Sequence, residues 1–206
     1  MKIDLDKLKL QYISTGYGDD IKEVLDGGCN WIQLRIKNEN INIIKDIAIK
    51  IKELCHRYDA VFIINDYVEL AAEIDADGVH LGKIDMSPKD ARTILGNGKC
   101  IGGTANTYND ILQLKDIVNY IGLGPYKWTS TKSNLSPILG IDGYKKILAE
   151  LKKENINIPI ISIGGIELED VKELLALNIS GIAVSGCIYN SNNRVALVNN
   201  FLEYLI

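Results

Sequence analysis

Three polar side chains alternate with apolar ones in the stretch Gln33-Leu34-Arg35-Ile36-Lys37. If this stretch ends a strand, alternation places Gln33, Arg35 and Lys37 on one face. In a barrel that face is the interior, where an amide and two cations are costly to bury unless they meet an anion. Arginine offers phosphate a two-pronged contact and lysine offers a point charge. The pattern favours an anion site, although an exposed polar edge strand would carry the same residues.

Two carboxylates follow neighbouring apolar segments. Asp66 comes directly after a run that ends in Ile64-Asn65, and Asp85 closes the stretch His80–Asp85. The carboxyl ends of adjacent parallel strands lie at one edge, so these groups could converge. Two carboxylates suit Mg²⁺ when substrate phosphates and water complete its shell. Asp66 is equally compatible with an N-cap of the helix predicted to begin at Val68.

His80 is expected to support this site and not to bind a metal. The chain has two histidines, and no second His or Cys lies near His80 in sequence to suggest zinc. Asn65 directly precedes the first carboxylate.

Hydroxyl and glycine residues follow the later apolar segments. Thr104 comes after Gly102-Gly103, where glycines would let the backbone approach a ligand. The run Thr129–Lys132 suits a phosphate cradle, although such tracts also occur in plain surface loops. Gly164-Gly165 and Val184-Ser185 follow the seventh and eighth segments, where barrels commonly bind a monophosphate through backbone N–H groups.

Two anion subsites of different character emerge from these residues. One is cationic and metal-supported and suits a diphosphate, and the other is a neutral backbone nest that suits a monophosphate. No Ser-His-Asp set is recognisable, and no lysine stands alone in an apolar stretch as a Schiff-base candidate. The pattern favours a reaction in which diphosphate leaves and little acid–base chemistry is needed.

Eight short apolar segments alternate with helix-like ones from end to end. Near-continuous apolar runs such as Val61–Ile64 are expected for strands covered on both faces. The predicted strands are Gln11–Ser14, Trp31–Arg35, Ala60–Asn65, Gly78–His80, Cys100–Gly103, Tyr120–Leu123, Pro159–Ile163 and Gly181–Val184. The predicted helices are Asp19–Leu25, Ile41–His56, Val68–Ile74, Pro88–Leu95, Asp110–Ile117, Tyr144–Lys153, Leu168–Leu177 and Val195–Ile206.

Eight βα units with right-handed crossovers favour an α/β fold, a closed (β/α)8 TIM barrel, over an open doubly wound sheet. No linker or low-complexity tract divides the chain, so residues 1–206 are predicted to form a single barrel domain. Such barrels build their active sites at the carboxyl ends of the strands. All the polar residues described above stand at these ends.

The composition excludes several classes of partner. The net charge is −4, which argues against nucleic acid and against a membrane surface. No apolar run is long enough to span a bilayer, and the N-terminus has no signal-peptide pattern. The four cysteines show no CxxC pair and are interpreted as free thiols of a cytoplasmic protein.

Together these residues resemble the thiamine phosphate synthases, in collinear order over essentially the whole chain. The matching stretches are Gln33–Lys37, Ile64–Asp66, Asp77–Gly82, Asp85, Gly122–Pro125, Thr129–Lys132 and Ile163–Ile166. No single motif is decisive, but their order and spacing are specific.

The resemblance implies a transferase that condenses 4-amino-2-methyl-5-hydroxymethylpyrimidine diphosphate with a thiazole phosphate. The reaction is dissociative and assisted by Mg²⁺, and the family usually forms homodimers. The implied ligands of the pyrimidine diphosphate are Gln33, Arg35, Lys37, Asn65, Thr104 and Lys132. Of these, Arg35, Lys37, Thr104 and Lys132 are the implied catalytic residues. The implied metal ligands are Asp66 and Asp85. The implied ligands of the thiazole phosphate are Thr129, Ser130, Thr131, Gly164, Gly165, Val184 and Ser185.

Two departures and two alternatives accompany this resemblance. Many members have Ser-x-His where this chain has Thr104-Ala105-Asn106, and Tyr126-Lys127-Trp128 replaces a common Phe-Pro. A thiazole tautomerase-like isomerase would need neither metal nor a diphosphate subsite. A non-catalytic phosphate-binding barrel would have lost its charged residues, which this chain keeps.

Overall fold

Eight parallel strands, hydrogen-bonded in chain order, close into a barrel where β8 pairs with β1. This computed structural model describes residues 3–131 and 135–205. The strands are β1 (Leu10–Ser14), β2 (Trp31–Leu34), β3 (Val61–Asn65), β4 (Gly78–Leu81), β5 (Cys100–Ala105), β6 (Tyr120–Leu123), β7 (Ile160–Ile163) and β8 (Gly181–Val184). The prediction of a closed (β/α)8 barrel is confirmed.

Helices cover the outside of the barrel. They are α1 (Asp20–Asp26), α2 (Ile41–Arg57), α3 (Val68–Glu73), α4 (Pro88–Leu95), α5 (Tyr108–Leu114), α6 (Gly140–Lys153), α7 (Val171–Leu175), α8 (Gly186–Tyr189) and α9 (Arg194–Leu205). Short 3-10 turns occupy Leu5–Lys7 and Leu168–Asp170. The helix α4 begins as its sequence predicts, with the Ser87 hydroxyl accepting from the Asp90 N–H at 3.1 Å and Pro88 in the first turn.

Several predicted boundaries were wrong by a few residues. The strand β2 ends at Leu34, one residue earlier than predicted, whereas β5 continues to Ala105, two residues beyond its predicted end. The helix α5 begins at Tyr108, because Thr107 and Asp110 form a capping box there. The prediction missed α8, since four residues are too few to show helical periodicity.

The apolar side chains form two cores because alternation sends successive residues of each strand to opposite faces. On β3, Phe62 and Ile64 pack outward against the helices, while Ile63 points into the barrel. The interior core includes Trp31 and Tyr120, whose rings meet edge to face with centroids 4.9 Å apart. A side chain at Gly102 would overlap the Tyr120 ring.

No helix in the described part of the chain is both long enough and apolar enough to cross a membrane.

Candidate active site

A carboxylate pair lies at the carboxyl ends of β3 and β4. The N–H of Asp66 donates to the His80 carbonyl at 3.0 Å, which ties the end of β3 to β4. The Gly82 N–H donates to Asp85 Oδ2 at 2.6 Å and holds that carboxylate at the barrel rim. The two carboxyl groups are close enough for each to shift the pKa of the other, and Lys37 forms an ion pair with Asp66.

The electrostatics of the pair show a shared negative site. Burial raises the pKa of Asp66 to about 6, and the adjacent Asp85 carboxylate adds to the shift. Burial also acts to raise the pKa of Asp85, but its interactions with Asp66, the Gly82 N–H, Lys37 and His80 together outweigh burial, so that pKa is lowered. Two close carboxylates resist simultaneous ionisation unless a cation lies beside them.

The donor set fits a hard divalent cation. Carboxylate oxygens are preferred by Mg²⁺, which keeps several waters and takes substrate phosphate oxygens as further ligands. Within residues 3–131 and 135–205, no group of three or more His, Cys, Asp or Glu side chains could hold a metal by itself. A two-carboxylate site that leaves positions for a phosphorylated ligand is consistent with both observations.

The helix-cap interpretation of Asp66 is wrong. The N-cap of α3 is Tyr67, without a side-chain cap hydrogen bond. Asp66 instead adopts the left-handed backbone conformation, with φ 66°, which aspartate tolerates better than most residues. This turn aims the carboxylate at the rim.

The three alternating residues of β2 separate into two environments. Gln33 lies within the strand and is buried in the barrel interior, where its Nε2 donates to Gln11 Oε1 at 3.0 Å. Arg35 and Lys37 lie beyond the end of the strand and not on its inner face, which corrects the interior placement predicted for both. The polar edge-strand interpretation is also wrong, because β2 is hydrogen-bonded on both sides in a closed barrel.

Thr104 lies near the end of β5 and belongs to the strand. Its hydroxyl is 3.0 Å from Nε2 of His80, a buried residue of β4. Gly102, two residues earlier, does not serve ligand approach as predicted, because it makes room for the rings of Tyr120 and His80. His80 therefore supports Thr104 from inside the barrel.

The segment that follows β6, as far as Thr131, reaches the same mouth of the barrel. Arg35 Nη1 donates to the Thr131 carbonyl at 3.1 Å, joining the end of β2 to this loop. Thr129 Oγ1 lies 2.9 Å from Thr131 Oγ1, and Ser130 stands between them. Lys132, the remaining residue of this predicted cradle, lies outside the described residues.

The residues of the predicted backbone nest lie at the ends of β7 and β8. Gly164 and Gly165 have φ of 101° and 65°, a conformation that favours glycine. Side chains at either position would also clash with the β6–α6 loop. Val184 ends β8, and the Ser185 hydroxyl donates to the Ile13 carbonyl at 2.7 Å.

Asn65 leaves a polar group without a partner at the rim. It is 6% exposed, and among the described residues its Nδ2 has no hydrogen-bond partner. Unpaired buried amides are costly, so a ligand oxygen at this position would complete the site.

Sequence reasoning missed three residues that shape the site. Asn106 donates through Nδ2 to the carbonyls of Gly124 at 2.9 Å and Pro137 at 2.8 Å, anchoring the β6–α6 loop at both ends. Gln11 and Tyr120 connect Gln33 to His80 through the barrel interior. Only their polar character in otherwise apolar strands could have signalled them.

Comparison with known proteins gives consistent matches over the whole fold. The thiamine monophosphate synthase family model matches residues 14–188. The thiamine-phosphate synthase of Flavobacterium johnsoniae is 50% identical over 203 residues, covering 96% of each chain. That of Phocaeicola vulgatus is 46% identical over 195 residues, covering 92% of this chain and 94% of the relative.

A solved structure agrees with these sequence matches. Thiamine phosphate pyrophosphorylase from Pyrococcus furiosus superimposes with a TM-score of 0.85 at 29% identity, covering 98% of this chain and 96% of that one. The matched region extends from the end of β1 to α8 and takes in the ends of all eight strands, so the chain belongs to the thiamine monophosphate synthase family.

Proposed function

We propose that the chain joins an aminopyrimidine methyl diphosphate to a thiazole phosphate, giving thiamine phosphate and diphosphate. Membership of the family makes it a transferase of thiamine biosynthesis. The observation that carries the proposal is the convergence of Lys37, Asp66 and Asp85 at one rim of the barrel. A diphosphate bound with a divalent cation requires such a cluster, and a thiazole isomerisation does not.

The proposed metal is Mg²⁺, with Asp66 and Asp85 as its protein ligands. When bound, it would neutralise charge that develops on the departing diphosphate. The raised pKa of Asp66 supports the assignment, because a cation beside the pair relieves the repulsion between the two carboxylates.

The pyrimidine diphosphate is proposed to occupy the mouth over β2 to β5. Arg35 and Lys37 supply cations for the phosphates, and Asn65 supplies a buried amide with unused donors. Thr104 would direct its hydroxyl at the same ligand from β5. The proposed ligands are Gln33, Arg35, Lys37, Asn65, Thr104 and Lys132, of which Arg35, Lys37, Thr104 and Lys132 would act catalytically.

The thiazole phosphate is proposed to lie over β6 to β8. The contact of Arg35 with the Thr131 carbonyl supports this neighbourhood, since it brings the hydroxyl-rich loop beside the proposed diphosphate subsite. The proposed ligands are Thr129, Ser130, Thr131, Gly164, Gly165, Val184 and Ser185.

The reaction that these groups support is dissociative. The bond between the pyrimidine methylene carbon and the diphosphate oxygen breaks, and diphosphate leaves with the electron pair. The thiazole nitrogen then donates its lone pair to the methylene carbon, forming the new C–N bond. No proton is transferred in either step, which agrees with a site rich in cations and hydroxyls. The residues act by stabilising the leaving group and holding the nucleophile close.

The proposal is tested by incubating the purified chain with both substrates and Mg²⁺. We expect thiamine phosphate and diphosphate in equal amounts, and neither when one substrate is omitted. Conversion of the thiazole alone would indicate the tautomerase alternative. Binding of both substrates without product would indicate a non-catalytic barrel.

The assembly is proposed to be a homodimer acting in the cytoplasm, with residues 1–206 as one barrel domain. These proposals rest on the family resemblance, and light scattering of the purified chain tests the dimer.

Replacing Cys187 by serine is expected to change kcat/KM by less than about twofold. Cys187 lies in α8 beside the proposed monophosphate nest, so it is the cysteine most open to a chemical role. Burial raises the pKa of its thiol to about 12, with Glu167 adding to the shift, so the thiol stays protonated and unreactive. Steady-state kinetics of Cys187→Ser decide the matter, and an inactive but folded variant would contradict this expectation.

A further inference from the structure

A continuous chain of polar side chains crosses the barrel interior below the proposed site. Gln33 Nε2 donates to Gln11 Oε1 at 3.0 Å, and Gln11 Nε2 donates to the Tyr120 hydroxyl at 3.3 Å. The Tyr120 hydroxyl lies 3.0 Å from His80 Nδ1, and His80 Nε2 lies 3.0 Å from the Thr104 hydroxyl. This hydrogen-bonded network joins strands β2, β1, β6, β4 and β5.

Four of the five members of this hydrogen-bonded network are buried, and Thr104, at one end of it, is partly exposed. Gln11 is 1% exposed, Gln33 2% and Tyr120 0%. Buried polar groups must be hydrogen-bonded to be tolerated, and partly satisfied networks are costly. Each member therefore depends on its neighbours, and the network acts as one unit.

The orientation of Gln11 sets the direction of every other hydrogen bond. Its oxygen accepts from Gln33 and its nitrogen donates to Tyr120. The Tyr120 hydroxyl, which accepts from Gln11, must donate its own proton to His80 Nδ1. A neutral His80 then carries its proton on Nε2 and donates to the Thr104 hydroxyl. The Thr104 proton is left to point away from His80.

We propose that Tyr120 is a positioning residue. Through Gln11 and His80 it fixes which hydrogen-bonding groups Gln33 and Thr104 present to the pyrimidine diphosphate. This inference rests on the proposed function, since both ends of the chain are proposed ligands of that substrate. Gln33 keeps its amide oxygen available as an acceptor, which matches the exocyclic amino group of the pyrimidine. Thr104 keeps a hydroxyl proton for an acceptor, which matches a diphosphate oxygen.

The kinetic test uses Tyr120→Phe, which removes the hydroxyl but keeps the ring that packs against Trp31. We expect KM for the pyrimidine diphosphate to rise about tenfold, the scale of one lost hydrogen bond within a network. The KM for the thiazole phosphate should change by less than about twofold. Equal changes in both KM values, or no change in either, would overturn the proposal.

The matched control is Tyr12→Phe. Tyr12 adjoins Gln11 on β1 but faces the outer core, and its buried hydroxyl donates to Asp20 at 2.6 Å. Its loss should lower the melting temperature without changing either KM. A rise in the pyrimidine KM for this variant as well would mean that the effect of Tyr120→Phe is general destabilisation, which would overturn the proposal.

A second readout needs no substrate and no activity. The chain has two histidines, His56 and His80, so ¹⁵N-histidine spectra of the wild type and of His56→Gln assign His80 directly. We expect the Nε2–H tautomer of His80 in the wild type and a mixture of tautomers in Tyr120→Phe. The proposal would be overturned if His80 of the wild type were the Nδ1–H tautomer. It would also be overturned if the tautomer of His80 were the same in Tyr120→Phe as in the wild type. Absence of thiamine phosphate formation by the wild type would instead refute the proposed function, while leaving this readout intact.

Discussion

Replacing Asp66 by alanine is expected to lower kcat/KM about a thousandfold, equivalent to about 4 kcal/mol of transition-state stabilisation. Asp66 is one of the two carboxylates proposed to hold Mg²⁺, and it also pairs with Lys37. Its loss leaves Asp85 alone to bind the cation and frees Lys37 from its partner. Steady-state kinetics at saturating Mg²⁺ measure the effect.

Two further variants separate the loss of charge from backbone strain. Asp66→Asn keeps the side-chain shape and tolerates the left-handed conformation, so it should be as inactive as Asp66→Ala. Asp59→Ala is the matched control, because Asp59 has a similar φ of 52° and precedes β3 at the opposite end of the barrel. Asp59→Ala should keep wild-type activity. An active Asp66→Asn would contradict the metal assignment.

Replacing Arg35 by alanine is expected to lower kcat/KM by two to three orders of magnitude, about 3–4 kcal/mol. Arg35 stands at the end of β2 and is the proposed two-pronged partner of the leaving diphosphate. It also donates to the Thr131 carbonyl, so KM for the thiazole phosphate should rise too. Arg35→Lys should recover only part of the activity, because lysine keeps the charge but lacks the planar fork.

The control for Arg35 is a second arginine that binds backbone carbonyls. Arg92 donates to the carbonyls of Gly96 at 2.9 Å and Lys99 at 2.6 Å, in the segment that leads into β5. Arg92→Ala should lower the melting temperature without changing kcat. Wild-type turnover by Arg35→Ala would refute the proposed diphosphate subsite.

The strands could be predicted because each buries both of its faces. Such strands are near-continuous apolar runs, and β6 was predicted with the bounds that the structure has. The strand β5 was predicted to end at Gly103, two residues too early, because a Gly-Gly pair is typical of a turn. Gly102 instead lies within the strand, where the Tyr120 ring from the next strand fills the space that a side chain would need.

The convergence of Asp66 and Asp85 followed from sequence order, since adjacent parallel strands end at the same rim. The Gln11–Tyr120 contact could not be predicted in this way. These residues are 109 positions apart and meet across the barrel interior only after it closes. The placement of Arg35 and Lys37 beyond β2 could not be predicted either, because the alternation of polar and apolar residues does not show where a strand ends.

The carboxylate pair and its neighbouring cations are proposed to hold a diphosphate through Mg²⁺. Calorimetric titration of the wild type with inorganic diphosphate, in Mg²⁺ and again in EDTA, tests this proposal most directly. We expect binding at least about tenfold weaker in EDTA, a difference of about 1.4 kcal/mol or more, and no Mg²⁺ dependence in Asp66→Asn. Equal affinity of the wild type in both buffers would contradict the account.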